Sequence, residues 1–197
     1  MNDQSRGNML IEYEKHAEYD AYLAAHFNGI QNGYAWLLEN WPELLETGCE
    51  GLEVNLQKHD ASKRVQDEYP AYAAYHFSKT KVTAEVEAAY RKAKLHHFHN
   101  NPHHWNHWVY VDDNNNFTAV EIPKVYVVEM ILDWWSFSWR SGDLREIRRW
   151  YRDNKNKIVL HPNTRVLVEE IINGIMHRLG NNIKKTIEEH QKGESFL

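Results

Sequence analysis

Cysteine occurs once in the 197 residues, at Cys49, so no intramolecular disulfide framework can form and the chain suits a reducing compartment. Apolar runs are short, and none approaches the roughly 18 residues of a membrane-spanning helix. Positive charge is also scarce: 23 Lys and Arg face 28 Asp and Glu, for a formal net charge of -5. That balance argues against a non-specific nucleic-acid binder, which is usually basic. It leaves a nucleotide substrate open, because local charge matters more there. The opening MNDQSRGNML lacks the charged-then-apolar layout of a signal peptide. There is no internal repeat and no low-complexity linker. Together these absences predict a cytoplasmic, globular protein forming one domain over 1–197, with its core at about 20–180.

Aromatics, in contrast, are plentiful: 13% of the chain, including 8 Trp and 11 Tyr, so the apolar material is large and rigid. The mean hydropathy of -0.74 is nevertheless that of a water-soluble chain. Histidine is the unusual component. There are 13, and six fall between positions 96 and 107.

Tyr19, Tyr22, Leu23, His26, Ile30, Tyr34 and Leu37 recur at spacings of three and four, which predicts a helix over about 11–38 with Gly29 and Gly33 as candidate break points. Trp41-Pro42 opens a short helix ending near Gly48, and another is expected over 51–59, followed by a polar Ala61-Ser62-Lys63. Pro70 begins or bends a helix carrying Tyr72, Tyr75 and Phe77. Thr83, with Glu85 and Glu87, marks the start of a helix to about His97. Residues 100–116 read as loop, with a hairpin across 112–116 because WVYV and FTAV flank a polar turn. Pro123 suits the first turn of a helix to about Trp139. Ser141-Gly142 ends it, Asp143 starts the next, and a last helix follows His161-Pro162 to about His190 with a frayed tail. The predicted fold is all-α, a helical bundle with one small β-hairpin near 108–120.

Asp133 is the strongest chemical clue. It lies in VYVVEMILDWWSFSW, a segment apolar on nearly every side and therefore buried. A carboxylate there costs several kcal/mol unless it is paired or binds a cation. Glu129, one turn earlier, is either a supporting partner or a solvated residue. The adjacent His59-Asp60 can reach one ion only where a helix ends or bends, because neighbours on a regular helix point about 100° apart. The polar residues that follow supply such an end, and imidazole with carboxylate suits zinc, iron or manganese. In LHHFHNNPHHWNHW, His97 and His104 flank a turn that would fold both toward one centre, as bunched histidines do in metal sites. His26 sits on the apolar stripe of the first helix, where a lone histidine is more often a satisfied core residue than a ligand. His16, His76, His107, His177 and His190 read as structural.

Taken in order, His26, His59-Asp60 and Asp133 resemble the H…HD…D signature of the HD-domain superfamily of metal-dependent phosphohydrolases. HDASK resembles the HDxxK form found there, which implies that Lys63 lies near the substrate phosphate. HDASK, HHFHNNPHHWNHW, IPKVYVVEMILDWWSFSW, WYRDN and KIVLHPNTR together are similar to a functionally undefined family of bacteria and their phages, over roughly 20–180. The resemblance implies an HD-like bundle whose metal ligands are His26, His59, Asp60 and Asp133, with His97 and His104 fitting the role of ligands to a second ion. Which of His96, His97, His99, His103 and His104 bind is open.

The implied activity is hydrolysis of a small phosphate ester or nucleotide, using one or two divalent ions (Mn, Zn, Fe, Co or Ni). Asp60 would orient a metal-activated water. Lys63 and Arg140 would neutralise the phosphoryl oxygens, and a cluster histidine such as His103 would protonate the leaving group. Trp105, Trp134 and Trp135 are candidates for stacking on a base or sugar, against core packing for at least two of them. Two rival readings use the same residues: a di-iron oxygenase of the HD type, and a non-catalytic module with a structural metal.

Overall fold

The computed structural model describes residues 3–77 and 81–193, and side chains over 16–77 and 81–180. The three-and-four spacing of the first segment produces α1, Asp3–Asn40, and this helix is unbroken. Neither Gly29 nor Gly33 interrupts it, contrary to the sequence expectation. Both lie where α1 meets α5, Lys124–Ser141. A Cβ on Gly29 would stand 2.7 Å from the Ser136 carbonyl oxygen, and one on Gly33 2.9 Å from Leu132 Cδ2. The glycines therefore let two helices approach closely, which offsets the roughly 1 kcal/mol that each costs in a helix relative to alanine.

Helix α5 is the centre of the molecule. It packs against α1, against α2 (Leu52–Gln57), against α6 (Glu146–Asn154) and against α7 (Pro162–Gly193). Ten of its residues are buried, among them Glu129, Asp133, Ser136 and Ser138, as an almost uniformly apolar helix requires. Pro123 precedes its first residue, and Gly142, left-handed at φ 80°, ends it. Two helices complete the bundle: α3 (Tyr69–His76) and α4 (Ala84–Asn100). Thr83 caps α4 by accepting the Val86 N–H at 3.3 Å.

The expected helix from Pro42 to Gly48 is only a short 3-10 turn, Pro42–Leu44. The hairpin is present, with β1 (Val109–Val111) antiparallel to β2 (Phe117–Ala119) and Val109 opposite Ala119. Asn115, at φ 62°, turns the chain between them. The four residues after α7 lie outside the described ones. The described chain is thus all-α with one small hairpin, and no helix among the described residues is long and apolar enough to cross a membrane.

Two apolar clusters form the interior. The larger joins Ile30 and Leu37 of α1 to Val127, Ile131 and Trp135 of α5 and to Val168, Ile171 and Ile175 of α7. The smaller joins Tyr19 and Leu23 of α1 to Tyr72, Ala73 and Ala93 of α3 and α4. Its companion is polar: among the described residues twelve buried polar or charged ones include His26, His59, Asp60, Glu68, His97, His103, Glu129 and Asp133.

Candidate metal centre

Helix α2 stops at Gln57, and the chain turns sharply through His59 and Asp60. Asp60 is left-handed at φ 57°, ψ 20°, a conformation that costs a non-glycine residue about 1–2 kcal/mol. The turn solves the problem of adjacent ligands, since both side chains now face one point. Asp60 lies at that point. Four ring nitrogens, one from each of four histidines, approach its carboxylate: His26 Nε2 at 3.4 Å, His59 Nε2 at 3.5 Å, His97 Nε2 at 3.2 Å and His103 Nε2 at 3.4 Å. Asp133 comes in from α5, with Oδ1 3.2 Å from His26 Nε2 and 3.8 Å from His59 Nε2.

Every one of these histidines has its other nitrogen occupied. His59 Nδ1 and His103 Nδ1 meet Glu129 Oε1 at 2.9 and 3.1 Å. His97 Nδ1 meets Glu68 Oε2 at 2.8 Å, and His26 Nδ1 donates to Ser136 Oγ at 2.8 Å. Ser136 must accept there, because its own hydroxyl donates to the Asp133 carbonyl at 2.7 Å. Donating through Nδ1 leaves an Nε2 lone pair aimed inward, the arrangement by which carboxylates and carbonyls orient metal-binding imidazoles. Among the described residues, His26 Nε2, His59 Nε2, His103 Nε2 and Asp60 Oδ1 are buried without a hydrogen-bond partner. Such atoms are costly to leave unsatisfied. His97 Nε2 and His104 Nε2 stand 2.7 Å apart, close enough that two bare lone pairs would repel.

Charge concentrates here. Burial opposes ionisation of Asp60, yet His59, Lys63, His103 and His26 together hold its carboxyl well below the usual value. Burial likewise opposes ionisation of Asp133, and His26, His104 and His59 outweigh it. Burial keeps the His59 ring below its ordinary value, and burial with the nearby His103 keeps His104 low too. Lys63 donates to Asp60 Oδ2 at 2.6 Å.

Donor atoms within 4.8 Å of one another form three overlapping groups: His26, His59 and Asp60; Asp60, His97, His103 and His104; and His59, His103 and Glu129. These buried His, Asp and Glu side chains suit a divalent ion in type, spacing and orientation, with Asp60 common to the first two groups. The structure therefore brings together all six residues expected as ligands, since Asp133 lies against His26 and His59. It does not favour His103 as a proton donor to a leaving group: the ring is 2% exposed and both nitrogens face carboxylates. Arg140 stays outside, exposed, its guanidinium 5.3 Å above the Tyr22 ring, which stacks on His26. His96 pairs with Glu68, and His99 is exposed. His16, His76 and His107 pack on Tyr69, Tyr90 and Trp108. The His177 side chain has a partner, and that of His190 lies outside the described residues.

Sequence reasoning missed Glu68 and Ser136, which carry no spacing signal, and left Glu129 undecided although its i−4 position from Asp133 pointed inward. It also missed Arg64. A cleft of about 60 Å³ opens on His26, His59 and Asp60 and is rimmed by Leu23, Phe27 and Arg64. The three tryptophans considered for stacking are packed: Trp135 is 0% exposed, Trp134 lies on Trp150 and Tyr151, and Trp105 rests against the larger core.

Fold and site together define an all-α protein with a buried histidine–carboxylate cluster that could hold a metal ion. Over residues 15–174 the chain matches the DUF5662 family, described as a family of unknown function, and it belongs to that family. No curated protein and no solved structure matches it.

Proposed function

We propose that this centre holds one or two divalent cations and that the protein is a metal-dependent phosphohydrolase of the HD-domain type, acting on a small phosphate ester or nucleotide. One observation carries the reading: Asp60 is shared by two donor groups, and within them His26 Nε2, His59 Nε2 and His103 Nε2 are buried with no hydrogen-bond partner among the described residues. A bound ion would supply Lewis acidity, lowering the pKa of a coordinated water to near neutrality. His26, His59, Asp60 and Asp133 would hold one ion, and Asp60, His97, His103 and His104 a second.

The rest falls to the protein's own groups. Asp60, turned inward by its left-handed backbone, would orient the attacking water. Lys63, which donates to Asp60, would offset charge that builds on phosphoryl oxygens. Arg64, 60% exposed at the mouth and 3.5 Å from Asp20, is better placed than Arg140 to receive an incoming phosphate. The cleft supports catalysis over a structural metal, because structural sites close their coordination. Its small volume suits the phosphate end of a substrate.

The test is elemental analysis of protein purified without added metal, followed by turnover of nucleotides, cyclic nucleotides and aryl phosphates. Asp60→Ala should lose both bound metal and turnover; unchanged metal content in that variant sinks the assignment. The nitrogen-rich donor set also suits iron, so a di-iron oxygenase is the second reading. Turnover with manganese, cobalt or zinc under nitrogen supports the hydrolase, whereas an iron redox signal with oxygen-dependent turnover supports the oxygenase.

A further inference from the structure

Helix α6 buries Ile147 and Tyr151 and turns a basic face outward. Arg145 precedes it, and Arg148, Arg149 and Arg152 continue the same i, i+3, i+4, i+7 stripe. These four guanidiniums and Lys155 line one cavity of about 600 Å³ between α6 and α7. Glu169 is the only carboxylate among its lining residues. This excess of positive charge stands in a chain whose net charge is -5. Arg149 reaches Asp143 and Glu146, Arg152 reaches Asp153, and Lys155 reaches Glu169 at 3.7 Å. All of these are exposed pairs, which hold their partners weakly.

We propose that this cavity binds an organic polyphosphate of nucleotide size, at a site separate from the metal centre, with which it shares no lining residue. The number of cations calls for more than one phosphoryl group, and the planar guanidinium fork matches phosphate oxygens in pairs. The floor differs in chemistry from the rim. Ile172 and Tyr151 lie beneath it almost wholly buried, the Tyr151 hydroxyl is already held by Arg165 and Glu169, and Asn173 offers an exposed amide. That amide can meet the polar edge of a ring. The volume falls within the roughly 300–1,000 Å³ of small-molecule sites, which suits a single small anion.

Calorimetric titration of the full-length Asp60→Asn variant in chelator, which silences the metal centre, isolates this cavity. ATP should bind one to one, and inorganic tripolyphosphate should compete with it. Combining Arg145→Ala with Arg148→Ala should raise the ATP dissociation constant at least ten-fold at an unchanged melting temperature, since both side chains are exposed. Absence of ATP and tripolyphosphate binding, or equal affinity in the arginine variant, overturns the proposal. Tighter binding of single-stranded oligonucleotides, increasing with their length, overturns it in favour of nucleic acid. Loss of metal in Asp60→Ala and loss of ATP binding in the arginine variant are separate results, so either proposal can fail alone.

Discussion

Glu129 shows how much of this centre depends on residues that would not touch the ion. A single carboxylate oxygen receives Nδ1 of both His59 and His103, fixing two rings, one from each of the two groups that share Asp60. Glu129→Gln keeps the shape but makes the acceptor neutral and therefore weaker. Metal affinity should fall by about 10–100-fold, as it does when such supporting partners are removed, while the helical circular dichroism is kept. Unchanged affinity would show that the rings are positioned by packing alone. At this scale the sequence was readable where chemistry and context clashed. Asp133 in an apolar helix and His59-Asp60 beside a polar break both announced themselves. Glu68 and Ser136 did not, because a carboxylate or hydroxyl that orients a ring obeys no spacing rule; it needs only to end up next to that ring.

The contact between α1 and α5 is where helix geometry and site geometry become one matter. Gly29 touches the Ser136 backbone, and the Ser136 hydroxyl orients His26. Gly29→Ala should destabilise the fold by about 1–3 kcal/mol, the usual cost of overpacking, and weaken metal binding as Ser136 moves away from His26. Gly180→Ala is the control, since among the described residues nothing lies within 4 Å of its added Cβ. Denaturant titration of the two variants, with metal affinity measured alongside, checks this; equal stability would disprove the close approach. Periodicity revealed α1 because a long helix repeats its apolar face many times, whereas α4, α5 and α7 were legible from the residues at their starts, Thr83, Pro123 and Pro162. It misjudged the glycines, since a glycine inside a helical pattern signals either a break or a close neighbour, and only the neighbour decides. The stretch after Trp41 was misjudged for a related reason: Pro42 opens a helical turn whether or not the next residues continue it.

Across the whole molecule, the cluster links stability to pH. Burial disfavours charge on both rings, but Asp133 and Asp60 lift His26 to about 9, and Asp60 and Glu129 lift His103 to about 10. A folded-state pKa above the ordinary 6.5 contributes stability that is fully present below that value and is lost as pH rises through the folded one. Protein stripped by chelator should therefore melt at progressively lower temperature between about pH 7 and 10. An ion needs both rings unprotonated at Nε2, so loaded protein should hold its melting temperature over that range and the gap between the two forms should widen. Parallel pH profiles for the two forms would count against ion binding at these rings. The basic cavity on α6 was legible only in part: the arginines were visible in the sequence, but not that α7 would close a floor beneath them. The site's layout also bears on how the protein is made. His26 and the hydroxyl that orients it lie 110 residues apart in the chain. A polypeptide emerging from the ribosome will have displayed His26, His59, Asp60 and the histidines after α4 long before α5 exists to join them. The full donor set comes into being only once α5 has been made, and so the finished shape, rather than the order of encounter during translation, would select any cation that is held.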